Sequence, residues 1–263
     1  FGLIIVGDEI LSGKRQDKHL AKVIELLSAR GLALAWSTYV GDDPRRITDT
    51  LRTAFASGDV VFSCGGIGAT PDDHTRQCAA AALGVPLALH PEAYELIMER
   101  VRQMAIEKGW SDDPNHPDTI HRTNMGVFPV GAQIIPNPYN KIPGFSVGDV
   151  HFVPGFPVMA HPMIEALLDT RYAHLHGAGA QEERSVIVYG SMEASLTPLM
   201  IDIEARFDGI KVFSLPSVDH PVHGRHIELG VKGRPGSGLL QAYAALLQGL
   251  QSPDIPLGPE MVR

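Results

Sequence analysis

The sequence predicts an α/β protein: a mostly parallel sheet with helices on both faces, followed by a small α+β module. Three observations point there. Short apolar runs alternate with amphipathic helical stretches through the first half, the texture of βαβ units. The small, flexible stretch Gly177-Ala178-Gly179-Ala180 separates that pattern from a second, more compact one. Apolar residues make up 44% of the 263 residues and charged residues 20%, enough apolar material for buried cores.

Taken in order, Leu3–Val6 is an apolar run stopped by Gly7. Asp17–Arg30 has helical spacing, with Leu20, Val23, Ile24 and Leu27 on one face and Gly31 as a stop. Leu32–Val40 reads as a second strand, Ile47–Ala56 as a helix and Val60–Ser63 as a third strand. Pro71–Leu83 is helical up to Gly84, Leu87–Leu89 is a short strand, and Pro91–Lys108 is a long helix. Between Gly109 and Pro157, prolines and glycines crowd an ordered, loop-rich stretch with strands at Gln133–Ile135 and Val150–Val153. Pro157–Leu168 closes the first pattern as a helix. The second runs strand Ser185–Tyr189, helix Met192–Phe207, strands Ile210–Leu215 and His226–Val231, and helix Gly238–Leu250. The expected domains are therefore 1–176 and 181–250, with 251–263 a proline-rich tail along the surface.

Charge and composition exclude several functions. Twenty-two basic residues against 30 acidic ones leave a net charge of −8, and no Lys/Arg-rich run interrupts it, so no nucleic-acid partner is expected. No stretch has the length and apolarity to cross a bilayer, and no membrane partner is expected. Two cysteines, Cys64 and Cys78, make no disulfide framework and suit a reducing, cytoplasmic setting.

The richest local signal is Ser63-Cys64-Gly65-Gly66-Ile67-Gly68-Ala69-Thr70-Pro71-Asp72-Asp73-His74-Thr75. It leaves a strand end, passes three glycines and enters a helix. Thr70 is placed as N-cap, Pro71 as the first helical residue, and Asp73 as the closing member of a capping-box-like arrangement. Glycines let backbone approach a ligand, and a helix N-terminus offers free amides and partial positive charge, a combination that suits phosphate. A tight turn with acidic residues favouring the helix dipole explains the same letters. Gly7-Asp8-Glu9 and Gly41-Asp42-Asp43 follow the other two strands, so all three segments emerge at one carboxyl edge of a parallel sheet, where such sheets bind ligands. Carboxylates crowded there call for a hard divalent cation held by oxygen, with Glu9, Asp72 and Asp73 as ligands and Asp42 as a further candidate. For Asp42 and Asp43 the alternative is a turn before Pro44.

Other features carry less. His220, His223 and His226 are spaced by threes, but Pro221 and Gly224 forbid a helix, and a hairpin loop is expected. Gly233-Arg234-Pro235-Gly236 matches the GxxG of a KH clamp, yet stands between a strand and a helix. No HExxH occurs.

Gly7-Asp8-Glu9-Ile10-Leu11, Val40-Gly41-Asp42, the glycine loop through Thr75, Ile142-Pro143-Gly144-Phe145 and Val153-Pro154-Gly155-Phe156-Pro157 together resemble the molybdopterin-binding domain of the MoaB/Mog superfamily, in its CinA branch. Ser185–Leu250 is similar to the KH-like module that follows this domain in CinA. The resemblance implies a three-layer domain with a pocket at the glycine loop, and self-association into a homo-oligomer. It maps ligand or phosphate contacts onto Gly65, Gly66, Gly68, Thr70, Thr75 and Gly144, a metal (Mg, Mn or Co) onto Glu9, Asp42, Asp72 and Asp73, and catalysis onto Asp72 and Asp73. The implied ligand is a phosphorylated pterin such as molybdopterin, or a dinucleotide. The implied chemistry is metal-dependent cleavage of a pyrophosphate in ADP-ribose or FAD, with adenylyl transfer to molybdopterin, or binding without turnover, as alternatives. The sequence departs from the family at Asp17-Lys18-His19, where relatives carry Asp-Thr-Asn, at Ala69 for a proline, at Asn140-Lys141 for Gly-Thr, and at Met159 for a glutamate. The amidase domain of CinA is not expected here, nor is deamidation of nicotinamide mononucleotide.

Overall fold

Leu3 and Ile5 face one way from the first strand, Ile4 and Val6 the other, and all four are buried. A strand apolar on both faces belongs in the middle of a parallel sheet covered by helices on both sides. The computed structural model, which describes residues 1–251 and 255–263, has that arrangement in its first unit, Phe1–His176.

In chain order this unit contains β1 (Gly2–Val6), α1 (Asp8–Leu11), α2 (His19–Ser28), β2 (Trp36–Val40), α3 (Pro44–Ser57), β3 (Val61–Cys64) and α4 (Thr75–Leu83). There follow β4 (Leu87–Leu89), α5 (Pro91–Lys108), α6 (Pro117–Thr123), β5 (Val127–Pro129), β6 (Gln133–Ile135), β7 (Gly144–Val147), β8 (Val150–Val153) and α7 (Pro157–Thr170). The six-stranded sheet has the order β2-β1-β3-β8-β7-β6; its first four strands are parallel, and the β8-β7-β6 pairings are antiparallel. On one face Leu3, Ile5 and Phe62 pack on Val23, Leu26 and Leu27 of α2 and Met163 and Ile164 of α7. On the other, Ile4 and Val6 meet Ile47, Leu51 and Ala54 of α3 and Cys78 and Ala79 of α4. Phe128, Phe145 and Phe152 continue that second core as a stack with centroid spacings of 4.7 and 4.4 Å.

Several boundaries differ from expectation, each for a local reason. Leu32 does not start the second strand. Its N–H bonds the Leu27 carbonyl, so Leu32 caps the end of α2 and plugs the core there. The buried face of α2 uses Val23, Leu26 and Leu27, while Ile24 is exposed. Asp43 caps α3 by accepting the Arg46 N–H at 2.9 Å, with Pro44 at the first helical position, which is the turn reading for that residue.

The second unit, Gly177–Arg263, comprises β9 (Glu182–Val188), α8 (Glu193–Arg206), β10 (Lys211–His220), β11 (Gly224–Gly233), α9 (Leu239–Gly249) and β12 (Leu257–Val262). Its antiparallel sheet has the order β10-β11-β9-β12, and Val186, Val188, Leu229 and Val231 pack on Leu196 and Ile203 of α8 and Ala242 and Leu246 of α9. The strand–helix–strand–strand–helix order matches the sequence reading. The tail does not simply follow the surface: β12 joins the sheet along β9, from Leu257 opposite Val188 to Val262 opposite Arg184. Pro259 is tolerated because β12 is an edge strand. Of the expected tail, residues 252–254 lie outside the described residues. The Gly233–Gly236 stretch falls between β11 and α9. Among the described residues no helix is long and apolar enough to cross a membrane.

Candidate functional site

Parallel strands deliver their C-terminal loops to one edge of the sheet. Gly7 and Glu9 follow β1, Asp42 follows β2, the glycine loop follows β3, and Pro154-Gly155-Phe156 follow β8; together they line a cavity of about 350 Å³. The loop is fixed at both ends. The Gly65 N–H donates to the Val153 carbonyl at 3.0 Å, and the Thr75 N–H donates to the Gly66 carbonyl at 3.0 Å. Gly65 (φ 107°) and Gly66 (φ 70°) turn the chain out of β3 in a conformation that L side chains rarely adopt. A Cβ at Gly65 would overlap the Val6 carbonyl, and one at Gly66 the Thr75 hydroxyl.

The next stretch is not the expected helix start. Thr70 N–H and hydroxyl both donate to Asp73 Oδ2, at 2.9 and 2.5 Å, and the Asp73 N–H returns to the Thr70 carbonyl at 3.0 Å. Residues 70–73 therefore close a separate turn, and α4 begins only at Thr75. The capping box is only half made: the Asp73 carboxylate reaches back to the Thr70 N–H, but the Thr70 hydroxyl donates to that carboxylate instead of accepting the Asp73 N–H, and no helix continues from the turn. Between the two anchored ends, the N–H groups of Gly66, Ile67, Gly68 and Ala69 have no acceptor among the described residues, and all four residues line the cavity. Four successive backbone donors without a partner form a nest suited to an anion.

Of the residues singled out by sequence, Glu9, Asp42, Gly65, Gly66, Gly68, Thr70, Asp72 and Asp73 line this cavity. Two do not. Thr75 is buried behind the loop, its hydroxyl donating to the Gly65 carbonyl at 3.1 Å. Gly144 lies within β7, where a Cβ would overlap the Phe152 carbonyl; its smallness serves sheet and α7 packing. Asp42 and Asp8 bond reciprocally: the Asp8 N–H donates to Asp42 Oδ2 at 2.9 Å and the Asp42 N–H to Asp8 Oδ1 at 3.2 Å. Burial pushes the Asp42 carboxyl up, and the nearby charges of Asp8, Glu9 and Asp72 push the same way against the Asp8 N–H bond. Asp17 is structural: it accepts the His19 and Leu20 N–H groups at the head of α2 and the Tyr39 hydroxyl.

Two cations escaped the sequence reading. Arg15 lines the cavity, and Arg76 lies buried beside the loop. A lone arginine in a turn, and one in a helix sequence, leave no periodic signal to find.

The fold and this geometry agree with what the chain is similar to. Residues 2–174 match the protein family described as "Probable molybdopterin binding domain". The chain belongs to that family. The molybdopterin-binding domain here is 35% identical over 160 residues to the "CinA-like protein" of Anaeromyxobacter sp. (strain K), covering 59% of this chain and 37% of the relative. The chain thus spans little more than a third of that curated relative's length. A protein of Pyrobaculum calidifontis is 30% identical over 236 residues, covering 86% of this chain and 85% of its own. Among solved structures, "the protein CinA with unknown function from Thermoplasma acidophilum" matches with a TM-score of 0.54 and 27% identity, over 64% of this chain and 96% of that one. The chain is thus a member of the molybdopterin-binding-domain family that is similar to CinA-like proteins.

The divalent cation implied by resemblance can be tested against the donors present. Among the described residues no three His, Cys, Asp or Glu side chains converge on one point. Glu9, Asp42, Asp72 and Asp73 share a cavity, but Asp73 is tied to Thr70 and Asp42 to Asp8. The set does not fit a preformed metal cage.

Proposed function

We propose that the molybdopterin-binding domain of this chain holds the phosphate of a phosphorylated pterin or a dinucleotide at the glycine loop. One observation carries the reading: the unpartnered amides of Gly66, Ile67, Gly68 and Ala69, side by side on the cavity wall. Backbone amides suit phosphate because they offer several donors with no side-chain entropy to lose. Arg15 adds the positive charge such a ligand needs against the surrounding carboxylates. The family's pterin is the first candidate ligand. A thermal-shift series with ADP-ribose, FAD, ATP and a pterin phosphate, each with and without Mg²⁺ or Mn²⁺, tests it. A rise in melting temperature with at least one of them is expected, and no rise with any would remove the loop from ligand binding.

Hydrolysis of a pyrophosphate is a second reading, favoured by the placement of Asp72 on the same wall as the free amides. There Asp72 would take the proton of an attacking water while the amides hold a phosphate oxygen. Water adding to one phosphorus expels the other phosphate as a monoester, so AMP released with ribose 5-phosphate from ADP-ribose, or with FMN from FAD, and lost in Asp72→Asn, separates turnover from binding alone.

A further inference from the structure

Arg76 stands in the first turn of α4 with its side chain packed away from water, only 6% exposed. One terminal nitrogen, Nη2, donates to the Gly68 carbonyl at 2.6 Å, and the other, Nη1, donates to the Asn124 carbonyl just beyond α6. Nε has no partner among the described residues, and Asp73 supplies the neighbouring negative charge. Burying a guanidinium on two neutral carbonyls is a poor way to fill space, because its desolvation is not offset by a close carboxylate. An aliphatic side chain would fill the same volume without that cost. The arrangement makes sense if the loop needs something only a fork of N–H donors gives.

We propose that Arg76 is the positioning residue of the anion site: its guanidinium fixes the Gly68–Ala69 peptide, and with it the direction of the loop's free amides. In a trans peptide the carbonyl and the following N–H point opposite ways, so holding the Gly68 carbonyl against Arg76 turns the Ala69 N–H away from it. Without that bond, the peptide between two small residues is free to rotate, and a carbonyl presented to the cavity would repel the anion the amides attract. The second bond, to Asn124, makes the anchor rigid, since it ties the loop to a segment 48 residues further on. The same buried charge lies beside the site and adds a field favourable to an anion, less screened than a surface lysine would give. This proposal rests on the anion-site reading above.

The experiment compares the whole chain with Arg76→Met and Arg76→Lys, by two readouts. The first is amide hydrogen exchange at Thr70, Asp73 and Thr75, whose N–H groups are bonded within the loop, with Gly65 as the reference anchored to the sheet. The second is calorimetric titration with inorganic pyrophosphate. In Arg76→Met, exchange at the three loop amides should quicken about tenfold while Gly65 keeps its rate, and affinity should fall about tenfold, the scale of one lost hydrogen bond to a charged group. Arg76→Lys, which keeps the charge and reaches one carbonyl, should lose less of both. Unchanged exchange at Thr70, Asp73 and Thr75 in a folded variant would overturn the proposal. If Arg76→Met does not fold, seen as lost protection at Gly65, Arg76→Lys decides by the same criterion. If the parent itself fails to bind pyrophosphate, the anion-site reading falls, and the exchange comparison still decides whether Arg76 holds the loop.

Discussion

The Nε2–H of His151 on β8 donates to the hydroxyl of Tyr172 at 2.6 Å, deep beneath the sheet. The direction follows from the neighbours. Tyr172 donates its own proton to Asp149 at 2.7 Å, so it must accept from His151, whose Nδ1 then accepts from the Ser146 hydroxyl at 2.7 Å. The chain of bonds is complete with a neutral imidazole. A proton added to Nδ1 would face the Ser146 hydroxyl with no water to receive it.

That burial, aided by Arg171 and opposed by Asp149, lowers the His151 pKa to about 3. In the unfolded chain a histidine titrates near 6.5, so between these values the unfolded state binds the extra proton. The stabilising contribution is intact above pH 6.5 and is lost as the pH falls toward 3, at about 1.4 kcal/mol per unit. At pH 5 the parent should have lost about 2 kcal/mol from this source. Urea melts at pH 7 and pH 5 check it: His151→Gln cannot titrate, and its stability should change less between the two pH values by that amount. Equal losses in parent and variant would mean that another group carries the acid sensitivity.

Gly66 and Gly68 should respond differently to alanine. At Gly66 the backbone is left-handed and the new Cβ meets the buried Thr75 hydroxyl, so Gly66→Ala should cost about 1–2 kcal/mol without any ligand. At Gly68 the φ is not left-handed, and the nearest atoms to a Cβ belong to the Asp73 carboxylate, held by Thr70 in an exposed turn that can give without disturbing the core. Gly68→Ala should therefore melt near the parent temperature yet bind pyrophosphate more weakly. Thermal melts paired with calorimetric titration separate the two, and matching behaviour would show that the loop does not divide this way.

Asp42 works against an anion at the same cavity. Replacing it by asparagine keeps an acceptor for the Asp8 N–H and removes one unit of negative charge. Asp42→Asn should tighten pyrophosphate binding two- to fivefold at low salt, about 0.5–1 kcal/mol, and the gain should shrink as salt is added. Weaker binding in the variant would instead show that the carboxylate recruits a cation with the ligand.

The second unit is predicted not to grip RNA. Its Gly233-Arg234-Pro235-Gly236 stretch joins a strand to a helix rather than two helices, and the whole chain is acidic. Filter binding at moderate salt should give no affinity beyond the non-specific level. A salt-sensitive Kd below about 10⁻⁶ M would reverse this conclusion.

The central architecture was readable because β1 and β3 are apolar on both faces and each is followed by glycine. Buried parallel strands and their turns leave that pattern directly in the letters. The shared carboxyl edge followed from it, and with it the neighbourhood of Glu9, Asp42 and Asp72. What escaped was decided by long-range partners. Thr70 has the letter of a helix cap, but its hydroxyl donates to Asp73 instead of accepting a helix N–H, and only the anchoring of Thr75 to Gly66 shows that the helix starts later. Gly144 looks like a ligand contact in a Pro-Gly turn, and its reason is the Phe152 carbonyl pressed against it. Arg76 has no motif around it; the carbonyls it bonds come from Gly68 and Asn124. The edge pairing of β12 was hidden by Pro259, which argues against a strand unless the strand has one free side.

The bond from the Gly65 amide to the Val153 carbonyl spans 88 residues, and β3 gains β8 as a neighbour through the same pairing. On a ribosome the glycine loop follows both acidic turns, yet its outer brace does not exist until some 90 further residues have been added. Until then Val61–Cys64 is an apolar strand with one side uncovered, and the loop has nothing to close against. The pocket thus waits for β8, and a nascent chain that has only just completed the glycine loop lacks the strand that closes it.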